Sequence, residues 1–133
     1  MATNTAGTTA RDYGVQMVHY LRKGITFADI GTSVVVGTLP AGALVLKPLS
    51  GAYIVTGFNG TTPTLDIGPT SDSGHDLWAS GISHATAGFI VCDEATNSYR
   101  VSVDTEVTAD LNATDDTAGD AEIVIAYVCD NDR

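Results

Sequence analysis

The sequence predicts an all-β fold, an antiparallel β-sandwich, and two observations lead to it. The first is residues 33–59, where three short apolar runs at 34–36, 43–46 and 52–55 are separated by Gly, Pro and Ser. Runs this short do not make stable helices, β-branched residues favour strands, and Gly and Pro favour turns. The second is composition, since Thr, Val, Ala, Gly and Asp are abundant while Lys and Met are scarce. At 133 residues the chain has the length of one domain with its own core.

Further strands are predicted on both sides of this stretch. Residues 13–20 alternate as a strand does, and the alternation at 99–106 predicts a half-exposed strand. Residues 122–129 are apolar on both sides, as expected of a central strand covered on both faces. Shorter strands are predicted at 25–29, 64–67, 88–92 and 107–113. The total is eight to ten strands without a long helix.

The first residues differ from the rest of the chain. Residues 1–10 are mostly Thr, Ala, Asn and Gly without periodicity, which predicts a flexible N-terminal arm at 1–12 before a single sandwich domain at 13–133. The arm lacks the regions of a signal peptide, and no apolar run approaches the roughly 18 residues that span a bilayer. We therefore expect synthesis in the cytoplasm and no membrane partner.

The net charge is −10, and it is unevenly distributed. Residues 1–47 contain four basic and two acidic side chains, whereas residues 48–133 contain two basic and fourteen acidic ones. An acidic surface repels phosphate, so no direct nucleic-acid binding is expected. The asymmetry favours either head-to-tail contacts and a basic partner, or simply a surface that resists aggregation.

The chain has two cysteines, Cys92 and Cys129, and each ends an apolar strand-like run. Their spacing fits no zinc site. Buried free thiols are expected, and one disulfide is the alternative.

Residues 70–88 interrupt the strand pattern with Ser, Gly, Asp and His around the single Trp78. A connection this long is functional or holds a short helix, here at 76–80. His75, His84 and Ser73 crowd this loop, but no Gly-x-Ser-x-Gly nucleophile motif occurs. There is also no His-x-His pair for a metal-centred oxygenase. We therefore expect no enzyme and no cofactor.

The acidic turn after residue 110 resembles the start of a calcium loop, since Asp110, Asn112 and Thr114 alternate. However, Asp115 occupies the position that needs Gly, and Ala121 the position that needs Glu. A solvated turn is preferred to a metal site. A looser cation site would use Asp115, Asp116 and Asp120.

A sugar-binding module is the main rival among β-sandwich functions, because such modules use exposed aromatic platforms. Trp78, Tyr99 and Tyr53 are the available rings, although most aromatics here lie in apolar runs that a core would bury.

Two segments resemble small structural proteins of tailed bacteriophages. The first is ITFADIGTSVVVGTLPAGALVLKPLSGAYIVTGFNGTTPTLDIG, and the second is TEVTADLNATDDTAGDAEIVIAYV. The resemblance implies a jelly-roll or related sandwich that acts as a capsid decoration, or cement, protein. It further implies a virion location on the capsid surface, with the major capsid protein and a second or third copy of itself as partners. The alternatives are a glycan- or receptor-binding module on a tail or fibre, and a head–tail joining or tail subunit.

Partner contacts are expected in residues 1–23, whose strand-like edge could pair with a neighbour, and in the 70–88 loop. The candidate contact residues are Tyr13, His19, Tyr20, Arg22, Lys23, His75, Trp78 and His84.

Overall fold

The computed structural model describes residues 17–129, which form two antiparallel sheets arranged as a sandwich. The predicted all-β sandwich is thereby confirmed. Within this range the strands are β1 Val18–Thr26, β2 Ser33–Leu39, β3 Leu44–Val45, β4 Gly51–Thr56, β5 Thr61–Pro69, β6 Ala79–Ser83, β7 Gly88–Val91, β8 Thr105–Thr114 and β9 Asp120–Val128. The predicted arm at 1–12 and the first residues of the 13–20 strand lie outside the described residues. The arm and the domain bounds therefore stay predictions.

The first sheet has the strand order β1-β9-β4-β7, and β3 pairs with the end of β9. The second sheet has the order β2-β8-β5-β6. Neighbours along the chain often lie in opposite sheets, as β1 and β2 do, and β4 and β5. The central position predicted for residues 122–129 is confirmed, because β9 lies between β1 and β4.

The core lies between the sheets and follows the two-residue period of the strands. On β9, Ile123 and Ile125 are fully buried, while the alternating Glu122 and Val124 are only half-buried. The other strands behave alike. The largest inward aliphatic side chains are Ile25, Leu39, Ile54, Leu65, Ile67, Val107 and Leu111.

Asn59 joins two connections between the sheets. Its side-chain oxygen accepts the N–H groups of Thr117 at 2.9 Å and Ala118 at 3.1 Å. Its amide nitrogen donates to the Thr117 hydroxyl at 3.0 Å. Asn59 therefore lies at a crossing from one sheet to the other and holds the connection before β9 in place.

The predicted strand at 25–29 is wrong in its second half. Residues Phe27–Asp29 form one turn of 3-10 helix, since the Asp29 carboxylate accepts the N–H of Thr26 at 2.9 Å and caps that turn. A second such turn, Lys47–Leu49, contains Pro48. Local side-chain capping thus ends β1 earlier than the apolar pattern indicates.

The predicted helix at 76–80 is also wrong. The backbone N–H of Trp78 donates to the carbonyl of Ile67 at 3.0 Å, and the chain then continues into β6. In the predicted strand at 99–106, only Thr105 onward belongs to β8. Before it, Tyr99 lies in a turn, Arg100 forms one isolated bridge to Leu44, and Val101 donates to the Ala43 carbonyl at 3.0 Å. The predicted strand is therefore wrong for residues 99–104, which are irregular apart from this bridge.

Candidate functional site

The outward side of the first sheet carries an exposed apolar surface. Tyr20, Tyr53 and Phe89 are 55%, 50% and 46% exposed, and Val18 and Val91 are nearly as open. These five side chains are called the apolar face below. They project outward because they alternate with inward core residues along their strands.

Strand register brings the apolar face together. Tyr53 on β4 lies directly opposite Phe89 on β7, and Glu122 on β9 flanks it on the other side. A shallow depression of about 340 Å³ is lined by Tyr20, Arg22, Tyr53, Phe89, Glu122 and Val124. Rings from three strands therefore border one continuous surface.

A single ion pair lies in this depression. The guanidinium of Arg22 on β1 donates two hydrogen bonds to the Glu122 carboxylate, one of them from its terminal nitrogen at 3.0 Å. The pair lowers the pKa of Glu122, mainly through the hydrogen bond, and raises the pKa of Arg22. The two charges cancel within the apolar face.

The outward side of the second sheet is polar and acidic, in contrast to the apolar face of the first sheet. Asp66 on β5 lies directly opposite Asp110 on β8. Asn112 donates to Asp66 at 2.7 Å, and Nδ1 of His75 lies 2.9 Å from the Asp110 carboxylate. Together with the exposed Glu106 these residues form a polar, acidic surface, called the polar face below.

The first part of the 70–88 loop folds back over the polar face. A Cβ atom placed on Gly68 would lie 2.9 Å from the backbone nitrogen of Leu77, so the loop backbone rests directly on β5. His75 fastens the loop through Asp110. The rest of the segment contains β6 and a short connection whose residues 85–87 are exposed, so residues 70–77 form the longer surface loop.

The predicted contact residues are dispersed. Tyr20 and Arg22 lie together on the apolar face, whereas Lys23 is exposed on the other side of β1. His19 is half-buried and stacks on Tyr127, with 5.6 Å between ring centroids. Tyr13 lies outside the described residues. Apart from the two buried residues discussed next, the contact roles stay proposals.

Trp78 is a core residue, contrary to its expected contact role. It is fully buried, donates its indole N–H to the Ser98 carbonyl at 3.3 Å and stacks on Tyr99 with 6.0 Å between centroids. Burial raises the pKa of Tyr99 to about 12. Neither ring can serve as a sugar platform, so of the three candidates only Tyr53 is exposed.

His84 is also fully buried, which corrects its expected contact role. Among the described residues neither of its ring nitrogens has a hydrogen-bond partner. Burial lowers the pKa of His84, while the nearby Asp116 carboxylate acts in the opposite direction. The imidazole is therefore held neutral inside the fold.

The acidic turn before β9 uses its carboxylates for structure. Asp116 accepts the backbone N–H of Gly60, and Asp115 adopts a left-handed φ of 67°. Over residues 17–129, no three His, Cys, Asp or Glu side chains are grouped as a metal ion would require. The calcium-like spacing itself belongs to β8, since Asp110, Asn112 and Thr114 follow the two-residue period of that strand.

Both cysteines are free thiols. Cys92 is buried, and its pKa is raised to about 12 by burial. The disulfide left open by the sequence is not formed.

Sequence reasoning missed Phe89 and Val91 as surface residues and assigned most aromatic rings to the core. The available signal was the two-residue period of β4 and β7, which places Tyr53 and Phe89 on the side opposite Ile54 and Ile90. Which side faces solvent depends on the other sheet, and local sequence does not encode that.

None of the helical turns in the described part of the chain is long and apolar enough to cross a membrane. No protein-family model and no curated protein matches the sequence significantly.

Two solved structures contain chains of similar fold. One is the acidic stable capsid structure of Helicobacter pylori bacteriophage KHP30, where 86% of this chain and 89% of that chain align with a TM-score of 0.64 and 16% identity. The other is the capsid asymmetric unit of cyanophage Pam1, where 98% of each chain aligns with a TM-score of 0.61 and 20% identity. At such identities the likeness establishes a shared fold: this chain has the fold of chains found in bacteriophage capsid structures.

Proposed function

We propose that this protein is a non-enzymatic structural component of a bacteriophage virion, a decoration protein that binds the assembled capsid and stabilises it. The observation that carries the proposal is the fold shared end to end with a chain of the Pam1 capsid asymmetric unit. The resemblance of residues 25–68 and 105–128 to tailed-phage structural proteins supports it independently.

The proposed mechanism requires binding and no chemistry. A decoration protein contacts neighbouring major capsid proteins and raises the free energy needed to separate them. Many modest interfaces repeated over a shell act together, so each contact can be weak. Residues 1–23 and the surface loop at 70–77 are the proposed shell contacts, and the net charge of −10 would keep a densely covered particle in solution.

We further propose that the sandwich is a jelly roll. The two sheet orders, β1-β9-β4-β7 and β2-β8-β5-β6, support this connectivity. Each position in the first sheet corresponds to one in the second: β1 corresponds to β2, β9 to β8, β4 to β5, and β7 to β6. A chain folded into such pairs and then wrapped around a barrel axis gives two Greek keys.

The direct test is binding of the purified full chain to expanded shells of its own phage, followed by cosedimentation and cryo-electron microscopy. The expected result is ordered density on the shell and a higher temperature of shell disruption. Expanded shells incubated with an unrelated acidic protein of similar size are the matched control for non-specific binding. Absence from the expanded shell, together with unchanged particle stability, would refute the decoration role.

A glycan- or receptor-binding role is the second candidate, and one observation favours it. Tyr20, Tyr53 and Phe89 present exposed rings on one sheet surface, as sugar-binding sandwiches do. A glycan array with the wild-type chain and Tyr53→Ala separates the two functions. Specific binding that is lost in the variant would favour the glycan role.

A further inference from the structure

We propose that the apolar face is a two-fold symmetric interface with a second copy of this chain. This inference rests on the proposed function and assigns a surface to the self-association that the resemblance to phage structural proteins implies. The pairing would stack the first sheets of two copies, outer side against outer side.

The sequence of β9 indicates that a further layer of protein covers the outer side of the first sheet. Strands that are apolar on both sides occur in sheets covered on both faces. In the single chain the second sheet covers the inner side of β9, whereas on the outer side Ala126 is buried beside Ser50 and Val124 remains only half-buried. A second copy would supply the cover that the sequence of β9 requires.

The outer side of the first sheet, which carries the apolar face, is wide enough for a specific interface. Four strands about 4.8 Å apart, with nine-residue β1 rising about 3.4 Å per residue, give it an area on the order of 500 Å² in plan. A standard interface buries roughly 800 Å² on each partner. The contact would therefore extend beyond the five side chains of the apolar face over the whole outer side of this sheet.

Charge selects a second copy as the occupant. Residues 17–129 contain four basic and thirteen acidic side chains, yet the apolar face encloses one of each, Arg22 and Glu122. Two copies that approach through other surfaces meet net negative charge on both sides. A basic partner would be drawn to the polar face instead. The apolar face is therefore the surface on which two such acidic chains repel each other least.

The ion pair also makes the apolar face complementary to itself. In a two-fold interface every residue contact occurs twice, with the roles exchanged. Because Arg22 and Glu122 lie side by side in one depression, a two-fold axis there lets each Arg22 reach the Glu122 of the other copy. Tyr53 and Phe89 surround the pair and would exclude water from it, as the rim of a binding hot spot does.

The test measures self-association of the full chain by sedimentation equilibrium, without shells. Wild type should form a dimer, and Tyr53→Lys should weaken it at least thirtyfold, because it places two cations against each other in an apolar interface. Val103→Lys is the matched control, since Val103 is exposed and lies outside the apolar face. It should leave the dimer intact. Far-UV circular dichroism establishes that each variant is folded.

A charge exchange tests the two-fold arrangement. Arg22→Glu and Glu122→Arg should each weaken the dimer, and the double variant should restore most of the affinity. A wild-type chain that stays monomeric at about 100 µM overturns the proposal, as does a dimer that Tyr53→Lys leaves unchanged.

Shell binding is measured separately on the same samples. A monomeric wild type whose shell binding is lost in Tyr53→Lys would make the apolar face a shell contact, which refutes the dimer and supports the decoration role. A dimer that ignores expanded shells would leave the interface standing and refute the decoration role.

Discussion

The ring of Phe58 meets the imidazole of His84 edge-on, with 4.2 Å between their centroids and 73° between their planes. The backbone N–H of Phe58 also donates to the carbonyl of His84 at 3.0 Å. This pair fixes the connection after β4 against the end of the 70–88 segment. It also places a titratable ring where water does not reach it.

The unfolding free energy should decrease at acidic pH, and the protonation of His84 should account for part of this decrease. Burial lowers its folded pKa below the ordinary value of 6.5, and Asp116 only partly offsets this. The unfolded chain therefore takes up the proton first, so the unfolding free energy decreases as pH falls through 6.5 toward the folded pKa. Urea unfolding between pH 5 and pH 8 measures it. His84→Phe should lose this part of the pH dependence, whereas His75→Gln should keep it. An unchanged slope in His84→Phe would contradict the prediction.

Trp78→Ala should destabilise the fold by about 3–5 kcal/mol, because it empties a large core site and removes the hydrogen bond to Ser98. Thermal or urea unfolding measures the loss. Tyr53→Ala is the surface control and should cost the monomer far less. Tryptophan fluorescence of the native chain should be blue-shifted, since Trp78 is the single Trp and is buried. A red-shifted native spectrum would show that Trp78 is exposed.

Gly68→Ala should cost about 1–3 kcal/mol through overpacking, because its Cβ would press on the backbone of the 75–77 loop. Gly24→Ala is the matched control within a strand, since a Cβ there meets nothing within 4 Å. It should be close to neutral. Equal effects of the two substitutions on the unfolding free energy would mean that the loop does not rest on β5.

One thiol should react in the native protein. Cys92 is buried with a pKa near 12, so it carries almost no thiolate at neutral pH, whereas Cys129 is partly exposed. A chromogenic disulfide reagent should titrate about one thiol per chain in buffer and two in denaturant. Cys129→Ser should remove the fast reaction. Two equally fast thiols would contradict the burial of Cys92, and none in denaturant would indicate a disulfide.

Sequence patterns predicted the strands well wherever apolar alternation and turn residues agree, as in β4 with Tyr53 between Ala52 and Ile54. They failed where a distant partner decides the local conformation. Trp78 becomes extended because the carbonyl of Ile67 accepts its backbone N–H and the carbonyl of Ser98 accepts its indole N–H.

The exposure of the apolar face could not be predicted from the sequence for a related reason. Alternation shows that Tyr53 and Ile54 point to opposite sides of β4, but not which side the second sheet covers. The expectation that most aromatic rings in apolar runs are buried therefore did not distinguish the exposed Tyr53 from the buried Trp78 and Tyr99. The doubly apolar β9 did carry the signal, because it indicated cover on both sides of the first sheet.

The pairing of Val18 with Val128 places the two ends of the described chain at one corner of the first sheet. A peptide or fluorophore attached before β1 and another attached after β9 would leave the sandwich at the same point. In a map of a decorated particle the two labels would coincide, so either would locate that corner relative to the shell. The same closeness makes the chain suitable for circular permutation, with a short linker joining the old ends and new ends opened in the surface loop at 70–77.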